Sequence, residues 1–184
     1  MRRRLEGRTL PAGKMAAGSA RRNSKRAGEV AEAAFLHKAV ELGFRVTKPW
    51  GDSERYDFVV DAGRRLWRVQ IKCTGALRAG GYHIQPIHFV YGKGKVAYTA
   101  EDVDVLAALV VPLDAWYVVP VEAIAAGTSL RLYPQGGCKR ARFEQYREAW
   151  GLLRGDAPEA PAAAEQKSLA EDDGRIRPEP IFGM

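Results

Sequence analysis

The sequence predicts an α/β or α+β fold, a mixed β-sheet with helices on its faces, and three observations carry that prediction. Residues 55–61 and 66–73 alternate polar and apolar at period two around the Gly-containing segment 62–65, which reads as a β-hairpin. Residues 105–111 are apolar without alternation, the pattern of a strand buried on both faces. Helical spacing brackets these strands, with Ala31, Phe35, Ala39 and Leu42 before them and Phe143, Tyr146, Trp150 and Leu153 after.

Each element follows in order. A first helix is expected over residues 25–42, with Ser24 as its N-cap and Gly43 as its C-terminal stop. Phe44 and Val46 begin a strand that Pro49 ends, and the loop 50–53 leads into the hairpin. A strand over 82–91, broken at Pro86, runs into a basic loop, Gly92-Lys93-Gly94-Lys95. Thr99, with Asp102 three residues on, caps a single turn. Strands over 105–111 and 116–121 flank residues 112–115, residues 130–133 add an edge strand, and a closing helix on 143–153 packs on the sheet. There is no internal repeat.

A chain of 184 residues with 46% hydrophobic content suffices for one domain with a sizeable core. The net charge of +7 is unevenly spread: residues 1–26 hold nine Lys and Arg against the single acid Glu6, whereas residues 155–184 hold three against seven acids. The expected organisation is a disordered basic arm over 1–24, a folded domain over 25–154, and a disordered acidic, Pro/Ala-rich tail over 155–184. The longest apolar run, residues 105–113, falls short of the roughly 20 residues that span a bilayer. With no apolar leader after the N-terminal arginines, a cytoplasmic protein without a membrane partner is expected. Cys73 and Cys138 lack metal-site spacing and read as reduced, buried thiols. Among His37, His83 and His88, His83 is expected nearest the site, and Trp50, Trp67, Trp116 and Trp150 are expected in core and rim packing. Tyr56 alternates with Phe58 and Val60 and so belongs to the core side.

The hairpin also carries the chemistry. Along its second strand Trp67, Val69, Ile71 and Cys73 point to one face, and Arg68, Gln70 and Lys72 to the other. Gln70 and Lys72 are therefore neighbours, and the returning first strand brings the Asp57 carboxylate near them. An outward polar row on a half-exposed sheet is the alternative reading of the same pattern.

Together with Glu32 on the upstream helix, Asp57, Gln70 and Lys72 resemble the PD-(D/E)XK nuclease motif, and most closely a branch related to group I intron homing endonucleases in which Gln replaces the second acid. Gly28-Glu29-Val30-Ala31-Glu32, Gly43-Phe44-Arg45-Val46, Arg55-Tyr56-Asp57 and Val69-Gln70-Ile71-Lys72 follow that branch's order and approximate spacing over residues 25–122. Tyr56 stands where the motif's Pro would be. The resemblance implies a restriction-endonuclease-like sheet and a Mg²⁺- or Mn²⁺-dependent DNA endonuclease in which Glu32, Asp57 and Gln70 surround the cation while Lys72 orients water or phosphate. Glu29, three residues before Glu32, is the rival acid. Arg21, Arg22, Lys25 and Arg26 of the arm, with Lys93 and Lys95 of the basic loop, are the expected DNA contacts. Cutting both strands needs two sites, hence a homo-oligomer. A junction-resolving or repair nuclease, or a DNA-binding module without turnover, would use the same core.

Overall fold

Residues 16–51, 53–125, 127–136, 138 and 141–156 are described by the computed structural model, those before residue 24 by backbone alone. Of the arm expected over 1–24, residues 1–15 lie outside the described residues and residues 16–24 are helical rather than disordered; of the tail expected over 155–184, residues 157–184 lie outside them. Helix α1 spans Ala16–Glu41, so Ser24 is not its cap: Ala16, Ala17, Ala20 and the neighbouring arginines are strong helix formers and carry the helix upstream. Ala31, Phe35 and Ala39 form its buried stripe. Its end is the expected one. Gly43, at φ +82°, donates to the Val40 carbonyl at 2.9 Å, and the Phe44 N–H reaches the Ala39 carbonyl at 3.0 Å, the paired bonds of a Schellman turn.

Strands β1 (Arg45–Thr47), β2 (Phe58–Asp61) and β3 (Leu66–Thr74) follow. The hairpin forms as expected: β2 and β3 are antiparallel with Phe58 opposite Val69 and Asp61 opposite Leu66, and Gly63 turns the chain at φ +87°. The chain then builds β4 (Leu77–Arg78), β5 (Gly81–Ile84), β6 (Ile87–Val90) and β7 (Gly94–Ala97). Pro86 does separate two strands. The basic segment, however, is the tip of a hairpin rather than a loop, because Gly94 and Lys95 open β7, which pairs with β6. Strands β8 (Val105–Val110) and β9 (Ala115–Pro120) flank a 3-10 turn at Val111–Leu113, and helix α2 (Val121–Ile124) leads toward β10 (Leu130–Leu132).

The main sheet has the order β1-β2-β3-β8-β9, with β3 and β8 parallel and the other pairs antiparallel. A parallel pair needs a long crossover, and here β4 to β7 form it. Helix α1 covers one face, where Phe35 lies 5.5 Å from Phe58 and 5.7 Å from both Trp116 and Trp150, ring centre to ring centre. The other face is covered by a small sheet, β10-β5-β4, through Tyr82, Ile84, Leu130 and Leu132. All six residues of β8 are therefore buried, as its unbroken apolar run requires. The result is a mixed α+β fold, with a helix on one face of the sheet and a small sheet on the other.

The closing helix does not form. Two 3-10 segments, Glu144–Tyr146 and Trp150–Arg154, stand in its place, parted at Glu148 with φ +49°. The cause is the open edge of β9. The Glu148 N–H donates to the Trp116 carbonyl at 2.8 Å, and its Oε1 accepts from the Trp116 N–H at 2.7 Å, so sheet-edge bonds replace helical ones. Phe143, Trp150 and Leu153 are still buried. Trp67, Trp116 and Trp150 pack as expected, but Trp50 is fully exposed, as none of the described elements covers it. Tyr56 is half-buried, but on the small-sheet side with Tyr82 and Ile84 rather than with Phe58 and Val60, and both cysteines are free and half-buried rather than buried.

Candidate active site

The site arises where two paired strands part. β2 begins opposite Val69, whereas β3 continues to Thr74, so residues 70–74 have a strand partner only on the β8 side. Asp57, the residue before β2, turns into the gap. Its N–H donates to the Val69 carbonyl at 2.9 Å, and its Oδ2 accepts from the Ile71 N–H at 2.6 Å. The carboxylate thus satisfies a backbone donor that the end of β2 leaves without a strand partner. Gln70 Nε2 donates to the same Oδ2 at 2.7 Å and to the Ile71 carbonyl at 3.1 Å. Gln70 is 8% exposed and is the one buried polar residue among those described. The solvated polar row is therefore not what forms.

Lys72 shares the Gln70 face of β3 and places Nζ 5.3 Å from the centre of the Tyr98 ring. Burial lowers the Lys72 pKa, and the Asp57 charge opposes that. Burial likewise raises the Asp57 pKa, the Ile71 N–H bond pulls it down, the Glu32 charge adds to the rise, and Lys72 and Lys48 oppose it. Both groups are thus held where their charged forms are disfavoured, a condition common at reactive sites. Tyr98 is pushed up to about 12, first by burial and then by the Asp57 charge.

Glu32 supplies the third wall. A cavity of about 310 Å³ between α1 and β3 gathers Glu32, Asp57, Gln70 and Lys72, with Gly28 and Cys73 at its margin. Glu29 does not line it. That side chain is exposed, 4.0 Å from Lys25, and borders an adjoining groove with Leu36, Val46 and Lys48, which Glu32 lines as well. The structure thus brings together Glu32, not Glu29, with the three hairpin residues. Lys48 is the neighbour that sequence reasoning missed: its Nζ donates to Glu32 Oε2 at 2.8 Å and lies 5.6 Å from the Phe58 ring centre. The Glu32 hydrogen bond, and then its charge, raise the Lys48 pKa. No local pattern marks Lys48, because only the β1–β2 pairing carries it to the helix.

His88 rather than His83 borders this region. It stacks on Tyr98 at 4.8 Å, whereas His83 Nε2 is engaged with Ser129 Oγ at 2.7 Å. His88 Nδ1 is the buried side-chain nitrogen without a partner among the described residues, and burial, followed by the Arg55 charge, lowers its pKa. Of the expected DNA contacts, Lys25 and Arg26 are exposed on α1, and Lys93 and Lys95 are exposed on the β6–β7 hairpin beside exposed Phe89 and Tyr91. The Arg21 and Arg22 backbones belong to α1, and their side chains lie outside the described residues.

No cluster of three His, Cys, Asp or Glu that could hold a metal occurs among the described residues. Two carboxylates and an amide oxygen nevertheless form a hard-oxygen donor set, which suits Mg²⁺ or Mn²⁺ and does not suit zinc. Both hydrogen bonds to the Asp57 carboxylate fall on Oδ2, which leaves Oδ1 for a cation.

The sequence matches the PD-(D/E)XK endonuclease family model over residues 22–153. In structure the chain is similar to a bacterial homing endonuclease, I-Ssp6803I, at 31% identity and a TM-score of 0.62, covering 72% of this chain and 93% of that one. The chain also has a likeness to MepB, at 15% identity and a TM-score of 0.36 over 52% of this chain and 72% of that one. No curated protein matches.

Proposed function

The chain belongs to the PD-(D/E)XK endonuclease family, and from that premise we propose that it is a metal-dependent DNA endonuclease of homing-endonuclease type, acting through Glu32, Asp57, Gln70 and Lys72. The supporting observation is the single cavity that gathers these four side chains at the open end of β3. Glu32, Asp57 Oδ1 and the Gln70 amide oxygen would hold Mg²⁺ or Mn²⁺, the Gln70 nitrogen being committed to Asp57. A divalent cation bound there neutralises charge developing on the phosphodiester and acidifies a water.

The remaining work belongs to the chain. Lys72, set against Tyr98 and beside Asp57, orients the attacking water or a scissile phosphate oxygen through its ammonium N–H groups. Burial strengthens those interactions, because they act in a medium less polarisable than water. Arg21, Arg22, Lys25 and Arg26 lie on the helix that also supplies Glu32, so backbone phosphates bound along α1 are led toward the cavity. Lys93 and Lys95 provide a second basic contact on the hairpin. One such site cuts one strand, and a homo-oligomer supplies the second.

The test is incubation of the purified protein with supercoiled plasmid and with a four-way junction, with and without Mg²⁺. Nicking or linearisation that requires the metal is the expected result. Preferential cutting of the junction would move the reading to a resolvase, and tight binding without cleavage under either divalent ion would move it to a DNA-binding module.

A further inference from the structure

Glu32 reaches the cavity from a helix, on a side chain with several rotatable bonds, yet its orientation is not left to chance. Lys48 Nζ engages Oε2 at 2.8 Å, and Glu32 lines the cavity shared with Asp57 and Gln70, with Oε1 outside that ion pair. Lys48 is itself placed by the core. Its ammonium lies over Phe58, 5.6 Å from the ring centre, and Phe58 stacks on Phe35 of α1 at 5.5 Å. Phe58 follows Asp57 directly, and Phe35 lies one turn beyond Glu32. The aromatic stack that joins α1 to β2 therefore also sets where the ammonium stands relative to both carboxylates. An ion pair whose side chains are 59% and 26% exposed adds little to fold stability, so stability does not account for this arrangement.

We infer that Lys48 is a positioning residue for Glu32: it anchors one carboxylate oxygen so that the other is presented to the divalent cation. Ligating carboxylates commonly depend on such outer partners. The inference rests on the metal-dependent reading above, and its sign is diagnostic. An ammonium acting only as a nearby positive charge would oppose cation binding, so its removal would tighten the metal; an ammonium that orients Glu32 has the opposite effect.

Isothermal titration of the full chain with Mg²⁺, without DNA, reads this directly. Lys48→Met, which keeps the stem over Phe58 and deletes the charge, should weaken Mg²⁺ binding by about tenfold. Lys48→Arg should restore most of the affinity, because a guanidinium can serve the same oxygen. In a Glu32→Gln background Lys48→Met should change nothing further. Metal-free thermal melts show that each variant is folded, and Lys48→Gln serves as the uncharged probe should the Met variant fail. Unchanged or tighter Mg²⁺ binding in a folded, uncharged variant overturns the role of Lys48 alone. A wild-type chain that gives no Mg²⁺ or Mn²⁺ binding overturns the metal reading, and the role of Lys48 with it.

Discussion

Asp57 and Asp104 occupy matching positions on the two sides of β3. Each precedes a strand that pairs with β3, and each donates its own N–H to a β3 carbonyl, Asp57 to Val69 and Asp104 to Arg68, both at 2.9 Å. Each carboxylate also accepts a β3 backbone N–H, from Ile71 at 2.6 Å and from Arg68 at 2.8 Å. Their electrostatic states are opposite. Burial pushes Asp104 up, but the Arg68 hydrogen bonds and charge, with the Arg65 charge, more than reverse it and leave its pKa below the ordinary value. Burial pushes Asp57 up and prevails, because its side-chain hydrogen bond comes from the neutral Gln70 and its cationic neighbours act only through charge. One local geometry therefore yields a saturated strut on one side and, on the other, a carboxylate with an oxygen left for a cation.

Alanine substitution should separate the two aspartates most widely. Asp57→Ala, or Lys72→Ala opposite it, should cost at least about 10²–10³-fold in Mg²⁺-dependent cleavage, the scale of losing one aligned electrostatic group. Asp104→Ala should keep a readily measured rate while lowering unfolding stability by about 1–3 kcal/mol, since it leaves the part-buried Arg68 N–H without its acceptor. Plasmid cleavage and denaturant melts on the same preparations decide it; robust cutting by Asp57→Ala would erase the contrast.

A charge added on the Asp57 side should be felt through metal. Gln70→Glu clusters a third acid with Asp57 and Glu32, which lowers metal-free stability by repulsion and deepens cation binding. Because a ligand at 100 times its Kd stabilises by about 2.7 kcal/mol, Tm should climb further with Mg²⁺ in the variant than in the wild type. Parallel climbs would remove Gln70 from the metal side.

The pH dependence should run in opposite directions for the two aspartates. Asp57 has its pKa raised by folding, so its favourable contribution is fully present below the unfolded value near 3.8 and is lost as pH rises through the higher folded value. Asp104 has its pKa lowered, so its contribution is present above that value and is lost as pH falls through the folded one. Asp57→Asn should accordingly stabilise the metal-free protein near neutrality, and Asp104→Asn should destabilise it. Melts from acid to neutral pH should show the two variant-minus-wild-type differences diverging; curves of like slope would mean that the electrostatic contrast is wrong.

The smallest effect belongs to Glu29. Glu32→Ala should depress cleavage clearly, whereas Glu29→Ala, whose exposed carboxylate pairs with exposed Lys25 at 4.0 Å, should stay within the few tenths of a kcal/mol expected of a surface pair. A dead Glu29 variant would place the catalytic acid one turn earlier.

The sequence by itself determined what depends on neighbours along the chain. Alternation put Gln70 and Lys72 on one face of β3, Gly43 stopped α1, and the unbroken apolar run of β8 required cover on both sides. These follow from strand pleat, left-handed backbone and burial, which act over a few residues. Helical spacing leaves Glu29 and Glu32 near one face, and the motif resemblance favours Glu32; the tertiary structure adds that Glu32, and not Glu29, lines the cavity where α1 meets β3. It alone brought Lys48 to Glu32, through strand pairing across 16 residues of sequence separation. It also buried Gln70, against the alternative of a solvated polar row, and it dissolved the helix spaced on Phe143, Tyr146, Trp150 and Leu153, where the open edge of β9 offered Glu148 backbone bonds that its own segment could not. Periodicity records which side of an element is apolar, whereas what faces a polar side chain, and which free edge competes for a backbone N–H, depends on elements far away in the chain.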